Sequence, residues 1–379
     1  MIRKNIKKNE GKYVDAIYLH IPFCAKKCEY CDFCTFINMG KEYERYCNAL
    51  IKEIKLYSEE NVYDTVYFGG GTPSLLPVEL ISSIMDNLKY RDDSEITLEL
   101  NPDKISMRKL ESLRKIGINR LSIGIQSFHD HILEFIGREH NSSDAINIFR
   151  KARKAGFENI SVDLMFGIPG QGMEDLKRDL EMIKILSPDN ISIYSLIWEE
   201  GTVFWNKLQK GILHEIDQDL EAEMYEYIID FLTDIGYIHY EISNFSKKDM
   251  YGRHNMKYWE NKEFIGIGLS ASEYYNGKRT SNIRNFHKYY SALENGKKPI
   301  DSKSLEIVDE IEKEKLKNML GLRLIEKGIE YIDETKIKKL LNEGLLEVFE
   351  DNSSYVSNKR LRLTRKGILL ANNVFMKFI

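Results

Sequence analysis

Six short apolar runs of strand length recur along the chain, five of them alternating apolar and polar residues with period two, and longer stretches with helical spacing lie between them. The strand-like stretches are 17–21, 65–68, 96–100, 121–125, 160–166 and 191–196. Between them, 43–57, 77–88, 106–116, 143–155 and 173–186 repeat apolar residues as helices do, with Gly117 and Gly156 where C-caps are expected. Strand–helix alternation predicts a parallel sheet with helical crossovers. Six such units predict an α/β fold, a partial (β/α)6 TIM-like barrel. The alternation also sorts the faces. Ile17, Leu19 and Ile21 oppose Tyr18 and His20; Ile96, Leu98 and Leu100 oppose Thr97, Glu99 and Asn101; Leu121, Ile123 and Ile125 oppose Ser122, Gly124 and Gln126. Val162 and Leu164 likewise oppose Ser161 and Asp163. Successive side chains on a strand point to opposite faces, so the apolar set meets the helices and the polar set points inward. Such barrels commonly fill their interior with branched aliphatics. A polar lining predicts a ligand cavity instead.

Beyond the sixth unit the pattern changes. An amphipathic helix is expected over 217–236, and 266–271 reads as a turn at the ligand end of the barrel. Residues 297–304 read as a linker, 305–325 and 334–342 as helices, 344–349 and 355–363 as short strands, and 364–378 as a closing helix. The expected organisation is an N-terminal arm over 1–15, a barrel with an extension over 16–296, and a small winged-helix-like α+β domain over 297–379.

Composition narrows the classes. Of 379 residues, 42% are hydrophobic and 30% charged, as in ordinary globular proteins. A net charge of −4 gives no electrostatic reason for a nucleic-acid partner. No apolar run is long enough to cross a bilayer. Arg3, Lys4, Lys7, Lys8 and Lys12 lead a chain without an apolar signal core. They read as a solvated arm, with attraction to an anionic membrane surface as a second reading. Five cysteines, four of them between Cys24 and Cys34, fit a reducing cytoplasmic setting and a metal centre better than disulfides.

Cys24, Cys28 and Cys31 are spaced Cys-x3-Cys-x2-Cys. Three thiolates on one loop can meet an iron–sulfur cluster or zinc. A structural zinc site wants a fourth ligand, usually from a second pair, and no distant Cys-x2-Cys pair or His pair of zinc-site spacing is present. A centre with one open position fits better. Gly69-Gly70-Gly71-Thr72-Pro73 follows the second strand, where glycines let backbone N–H groups approach a ligand. Cys47, on the first helix, is a packing residue.

The cysteine loop closely resembles that of the radical S-adenosylmethionine superfamily. Together with Tyr18-Leu19-His20-Ile21-Pro22-Phe23, the glycine run, Glu-Leu-Asn-Pro at Glu99, Gly-Ile-Gln-Ser-Phe at Gln126 and Ile168-Pro169-Gly170, it resembles oxygen-independent coproporphyrinogen III dehydrogenase and its relatives. The resemblance implies a [4Fe-4S] cluster on Cys24, Cys28 and Cys31. It implies S-adenosylmethionine held by Tyr18, Tyr30, Gly70, Gly71, Thr72, Glu99, Gln126, Arg138 and Asp163. A surface cation capping a helix end is the other reading of Arg138. Arg253-His254-Asn255-Met256-Lys257-Tyr258-Trp259 resembles the heme-binding motif of the family's heme-chaperone branch, which implies heme on His254. A buried histidine beside two core aromatics is the alternative. Phe33 stands where the dehydrogenases carry a further Cys, with Cys34 one residue late, and only 23 residues precede Cys24. These departures favour the chaperone branch, and with it heme, heme-recipient proteins and a homodimer as partners. Oxidative decarboxylation of coproporphyrinogen, or another radical reaction on a tetrapyrrole, is the alternative function.

Overall fold

The computed structural model describes residues 14–57, 60–102, 105–333, 335–351 and 358–378. Most of the expected N-terminal arm and the first part of the 355–363 strand lie outside these residues. Six parallel strands follow one another in both sequence and space: β1 (Ala16–Ile21), β2 (Tyr63–Gly70), β3 (Tyr90–Leu100), β4 (Arg120–Gln126), β5 (Asn159–Phe166) and β6 (Asn190–Ser195). Ile17, Leu19, Val66, Phe68, Leu98, Leu121, Ile123, Val162 and Ile191 are buried in one core beneath the crossover helices. The opposite set meets inside the barrel, where Tyr67 bonds Glu99, Ser122 bonds Asp163, and Ser161 bonds Asn190. Period-two sorting thus works as expected, and the interior is polar.

Several elements differ from the sequence reading. The chain turns back at Ile238–Glu241 (β7) and Asn244–Ser246 (β8), and β8 pairs antiparallel to β6 at one sheet edge. Residues 266–271 are not only a turn. Ile265–Ile267 (β9) pairs parallel to β1 and extends the opposite edge, with the turn following at Gly268. The expected helix over 305–325 is shorter. Glu306–Ile307 is a strand paired with Lys278–Ser281, and the helix Glu310–Gly321 starts only after Asp309 caps the N–H of Glu312. An N-cap aspartate fixes the start because its carboxylate satisfies an otherwise unpaired N–H.

Glu53 ties the β9 edge to the first helix, Tyr43–Ile54. Its buried carboxylate accepts from Gly268 N at 2.9 Å, Asn282 Nδ2 at 2.6 Å and Tyr289 Oη at 2.5 Å. Burial pushes it up to about 7, against the pull of those three donors. Cys47 on the same helix is buried among apolar residues. At the C-terminus, strands Leu346–Asp351 and Asn358–Leu363 pair antiparallel, Ile329–Glu330 joins the other edge, and helix Thr335–Asn342 packs on them. The expected closing helix is two short ones, Arg365–Leu369 and Ala371–Phe375.

Candidate functional site

The cysteine loop lies at the C-terminal ends of the barrel strands. It leaves β1 through Pro22, and its two ends pair as short parallel strands, Phe23–Cys24 with Phe36–Ile37. The Oγ1 of Thr72 donates to the Sγ of Cys24 at 3.6 Å, and an Nη of Arg138 donates to the Sγ of Cys28 at 3.7 Å. Burial pushes Cys31 up to about 11, and the nearby sulfurs of Cys28 and Cys24 push the same way. Burial also raises Cys24, offset in part by the Thr72 donor. Thiols raised in this way become thiolates when a metal centre binds, because ligation itself removes the protons. Among the described residues no three ligating side chains converge on a single-ion position.

The glycine run is built for backbone proximity. Gly71 N donates to Ile21 O at 2.8 Å, and a Cβ there would lie 2.6 Å from Phe23 O. Gly70 has φ +108, and a Cβ there would lie 2.4 Å from the His20 ring. Gly70 N donates to Glu99 Oε2 at 3.1 Å. Burial pushes Glu99 up to about 7, although Tyr67 donates to its other oxygen at 2.8 Å. Asp163 is pushed to about 6, again by burial, and is held partly down by Ser122 and Ser192.

Arg138 does not cap a surface helix. It donates to Gly124 O at 2.6 Å and to Asn101 Oδ1 at 2.8 Å, and Asn101 in turn donates to Thr72 at 3.0 Å. Asn101 therefore joins the loop, the glycine run and Arg138. It directly follows β3 in the same polar alternation as Glu99, which marks its face in the sequence but not its role. Gln126 sits in the left-handed region at φ 64, and its buried Oε1 has no hydrogen-bond partner among the described residues. A non-glycine residue there carries strain that the surrounding structure must impose. Tyr18 donates to or accepts from His20 Nδ1 at 3.1 Å, and Tyr30 packs against Phe204. Phe33 projects outward, 59% exposed. Burial raises the Cys34 thiol, against the pull of Arg284, Ser270 and Lys27.

His254 is set apart from this cluster, at the N-terminal ends of the strands. The motif forms a helix, Arg253–Trp259, whose first N–H groups donate to Glu95. His254 is 2% exposed, with Nδ1 2.8 Å from Thr65 Oγ1 and Nε2 2.8 Å from Tyr258 Oη. Positions four apart share a helix face, which places Tyr258 over His254. Burial, with Lys257 and Arg120 nearby, depresses His254 to about 3, so the ring is neutral. Tyr67 packs 5.1 Å from it, ring to ring, and is the same residue that bonds Glu99. Tyr67 stands in an otherwise apolar run, which hides it in the sequence. Both ring nitrogens are engaged, so neither is free for a metal in this conformation.

A polar-lined parallel barrel with three thiols on the loop after its first strand defines a radical S-adenosylmethionine protein, and the profile of the Radical SAM superfamily matches residues 18–183. This class carries a [4Fe-4S] cluster and S-adenosylmethionine. The chain is 38% identical to the heme chaperone HemW of Lactococcus lactis subsp. lactis, over 96% of this chain and 97% of that one. It is also 38% identical to the heme chaperone HemW of Bacillus subtilis, over 96% and 98%. It belongs to the HemW family. The solved structure of coproporphyrinogen III oxidase (HemN) from Escherichia coli has the same fold, with a TM-score of 0.80 at 23% identity, covering 96% of this chain and 89% of that one.

Proposed function

We propose that this protein is a heme chaperone that binds heme and hands it to heme-requiring proteins, respiratory ones among them. The observation that carries the reading is the likeness to heme chaperones along almost the whole chain on both sides. In this reading Cys24, Cys28 and Cys31 hold the cluster. Tyr18, Tyr30, the Gly70–Thr72 backbone, Glu99, Gln126, Arg138 and Asp163 surround S-adenosylmethionine. The unpartnered Gln126 Oε1 and the glycine cradle fit a hydrogen-bonding ligand at the barrel mouth. The chemistry such a centre supplies is reductive cleavage of S-adenosylmethionine to a deoxyadenosyl radical.

In this reading His254 would ligate the heme iron. To serve, it must give up Thr65 and Tyr258, so binding requires the motif helix to shift. The same burial that keeps the imidazole neutral keeps it in the form that ligates a metal. The test is stoichiometric heme titration and transfer to an apo heme protein, wild type against His254→Ala. Equal binding and transfer by the variant would remove His254 from the reading. Anaerobic formation of protoporphyrinogen with matching 5′-deoxyadenosine would replace the chaperone by a decarboxylating enzyme.

A further inference from the structure

Arg120 opens β4 and is 3% exposed, in the barrel floor near His254. Burial works against its charge, and Glu95, Tyr67, Tyr240 and Asp163 work for it, Glu95 most. Among the described residues, however, its guanidinium forms no hydrogen bond and no ion pair, and the buried Nε has no partner. Thr97, its register partner on β3, likewise has a buried Oγ1 without a partner. A guanidinium carries several N–H donors, and leaving them unmet in a buried place is costly. Glu95 lies two residues before Thr97, on the same face of β3. Its carboxylate is turned to the motif helix instead: Oε2 accepts from Arg253 N and Oε1 from His254 N, both at 3.0 Å. Gly252, the residue before that helix, lies against the guanidinium, since a Cβ there would be 3.5 Å from one Nη of Arg120. At the other end Trp259 leaves the barrel and lies under the guanidinium of Arg323, at 4.2 Å. The first turn of the helix thus rests on Glu95, and a cation able to take over that carboxylate stands close by without a partner.

We infer that Arg120 is a positioning residue for the opening of the motif helix: when the first turn lifts, Arg120 receives the Glu95 carboxylate. The need for the helix to open rests on the proposed heme reading, while the change of partner by Glu95 stands on the floor residues themselves. Without a receiver, lifting the turn would strip a buried carboxylate of both its donors, which strongly disfavours opening. With Arg120 the carboxylate passes from two neutral N–H groups to a charged fork, and such pairs form two parallel N–H···O bonds. The seated form keeps an unbonded cation and the lifted form holds an ion pair, so the two forms lie closer in free energy than the other buried contacts would set them. His254, the second residue of the helix, leaves Thr65 and Tyr258 in the same movement.

Backbone hydrogen exchange reads the opening without heme, because amides of a seated helix exchange when it opens locally. The full-length protein, with its cluster reconstituted, is followed by mass spectrometry over 253–259. Wild type, Arg120→Met, Glu95→Gln and the double variant are compared, with a melting curve on each to check the fold. Arg120→Met should slow exchange of these amides about tenfold, because the lifted form loses a charge-assisted pair. In the Glu95→Gln background the same substitution should change little. The sign is decisive: an arginine that only fills the floor, or is served by buried water, leaves a looser helix when removed, and exchange speeds up. Faster or unchanged exchange in Arg120→Met, or the same slowing without Glu95, overturns the inference. If Arg120→Met does not fold, Arg120→Lys, which keeps the charge but not the fork, should slow exchange by a smaller factor, and faster or unchanged exchange again overturns it. Heme then separates the two readings. Slowed exchange with an unchanged rate of heme loading leaves the Glu95 switch standing and removes helix opening from the heme reading. His254-dependent heme loading with no slowing of exchange by Arg120→Met removes the switch and leaves the chaperone reading standing.

Discussion

Replacing Lys257 by Met should open the route to His254. Lys257 is nearly buried, on the motif helix, and its Nζ lies 2.9 Å from Asp15 Oδ1 and 2.9 Å from Asp64 Oδ2. Arg253, one turn earlier, also pairs with Asp64, and Asp64 takes Arg91 at 2.5 Å. These contacts fasten the helix to the start of β2. Methionine keeps the apolar stem and removes the charge. Asp64 retains two arginines and is not orphaned, so the loss is below the cost of breaking a buried pair outright. Two charge-assisted bonds, one of them to the more exposed Asp15, come to about 2 kcal/mol net. If heme loading requires the helix to open, about 2 kcal/mol raises the open fraction by roughly thirtyfold. Stopped-flow absorbance after mixing with limiting heme should show a comparably faster His254-dependent phase, with a lower melting temperature. A variant that melts earlier but loads at the wild-type rate would refute the reasoning, because opening would then not limit access.

Four further outcomes are expected. Protonating His254, depressed to about 3 from an ordinary 6.5, costs folding free energy, so its contribution is full above pH 6.5 and is lost as pH falls toward 3. His254→Gln should therefore flatten the fall in melting temperature between pH 7 and pH 4; His140 and His239, both depressed to about 4, keep part of the slope in the variant. Tyr289→Phe removes a donor from buried Glu53 and should cost about 1–3 kcal/mol, read by denaturant unfolding. Gly71→Ala sets a Cβ against two backbone carbonyls, at 2.6 Å and 2.9 Å, and should cost about 1–3 kcal/mol while weakening S-adenosylmethionine binding, measured by calorimetry. Alanine at any one of Cys24, Cys28 or Cys31 should abolish reconstituted iron and sulfide content, whereas Cys34→Ala should retain both.

The barrel was legible because each strand is buried on one face by helices and lined by polar groups on the other. Period two is then imposed over five or more residues, and Glu99, Gln126 and Asp163 stand out against Leu98, Ile125 and Val162. Strands of three or four residues carry no such signal. Ile265–Ile267 alternates Ile and Gly, and its glycine accommodates a close backbone, 2.0 Å from where a Cβ would be. It reads as a turn until β1 is seen beside it. The motif over 253–259 was legible, but its depth was not. Nothing local tells that Thr65, nearly two hundred residues away, meets His254, or that Trp259 leaves the barrel. For Arg138 the sequence leaves a surface cation open as a second reading until Gly124 and Asn101 are folded against it.

The separation of faces along each strand has a consequence for how such a scaffold changes over time. Every strand carries two independent texts in alternate letters. One is written to the helices and governs whether the chain folds; the other is written to the cavity and governs what is held there. The inner text can be revised without disturbing the outer one. A shared architecture at 23% identity with a coproporphyrinogen oxidase is what that independence permits.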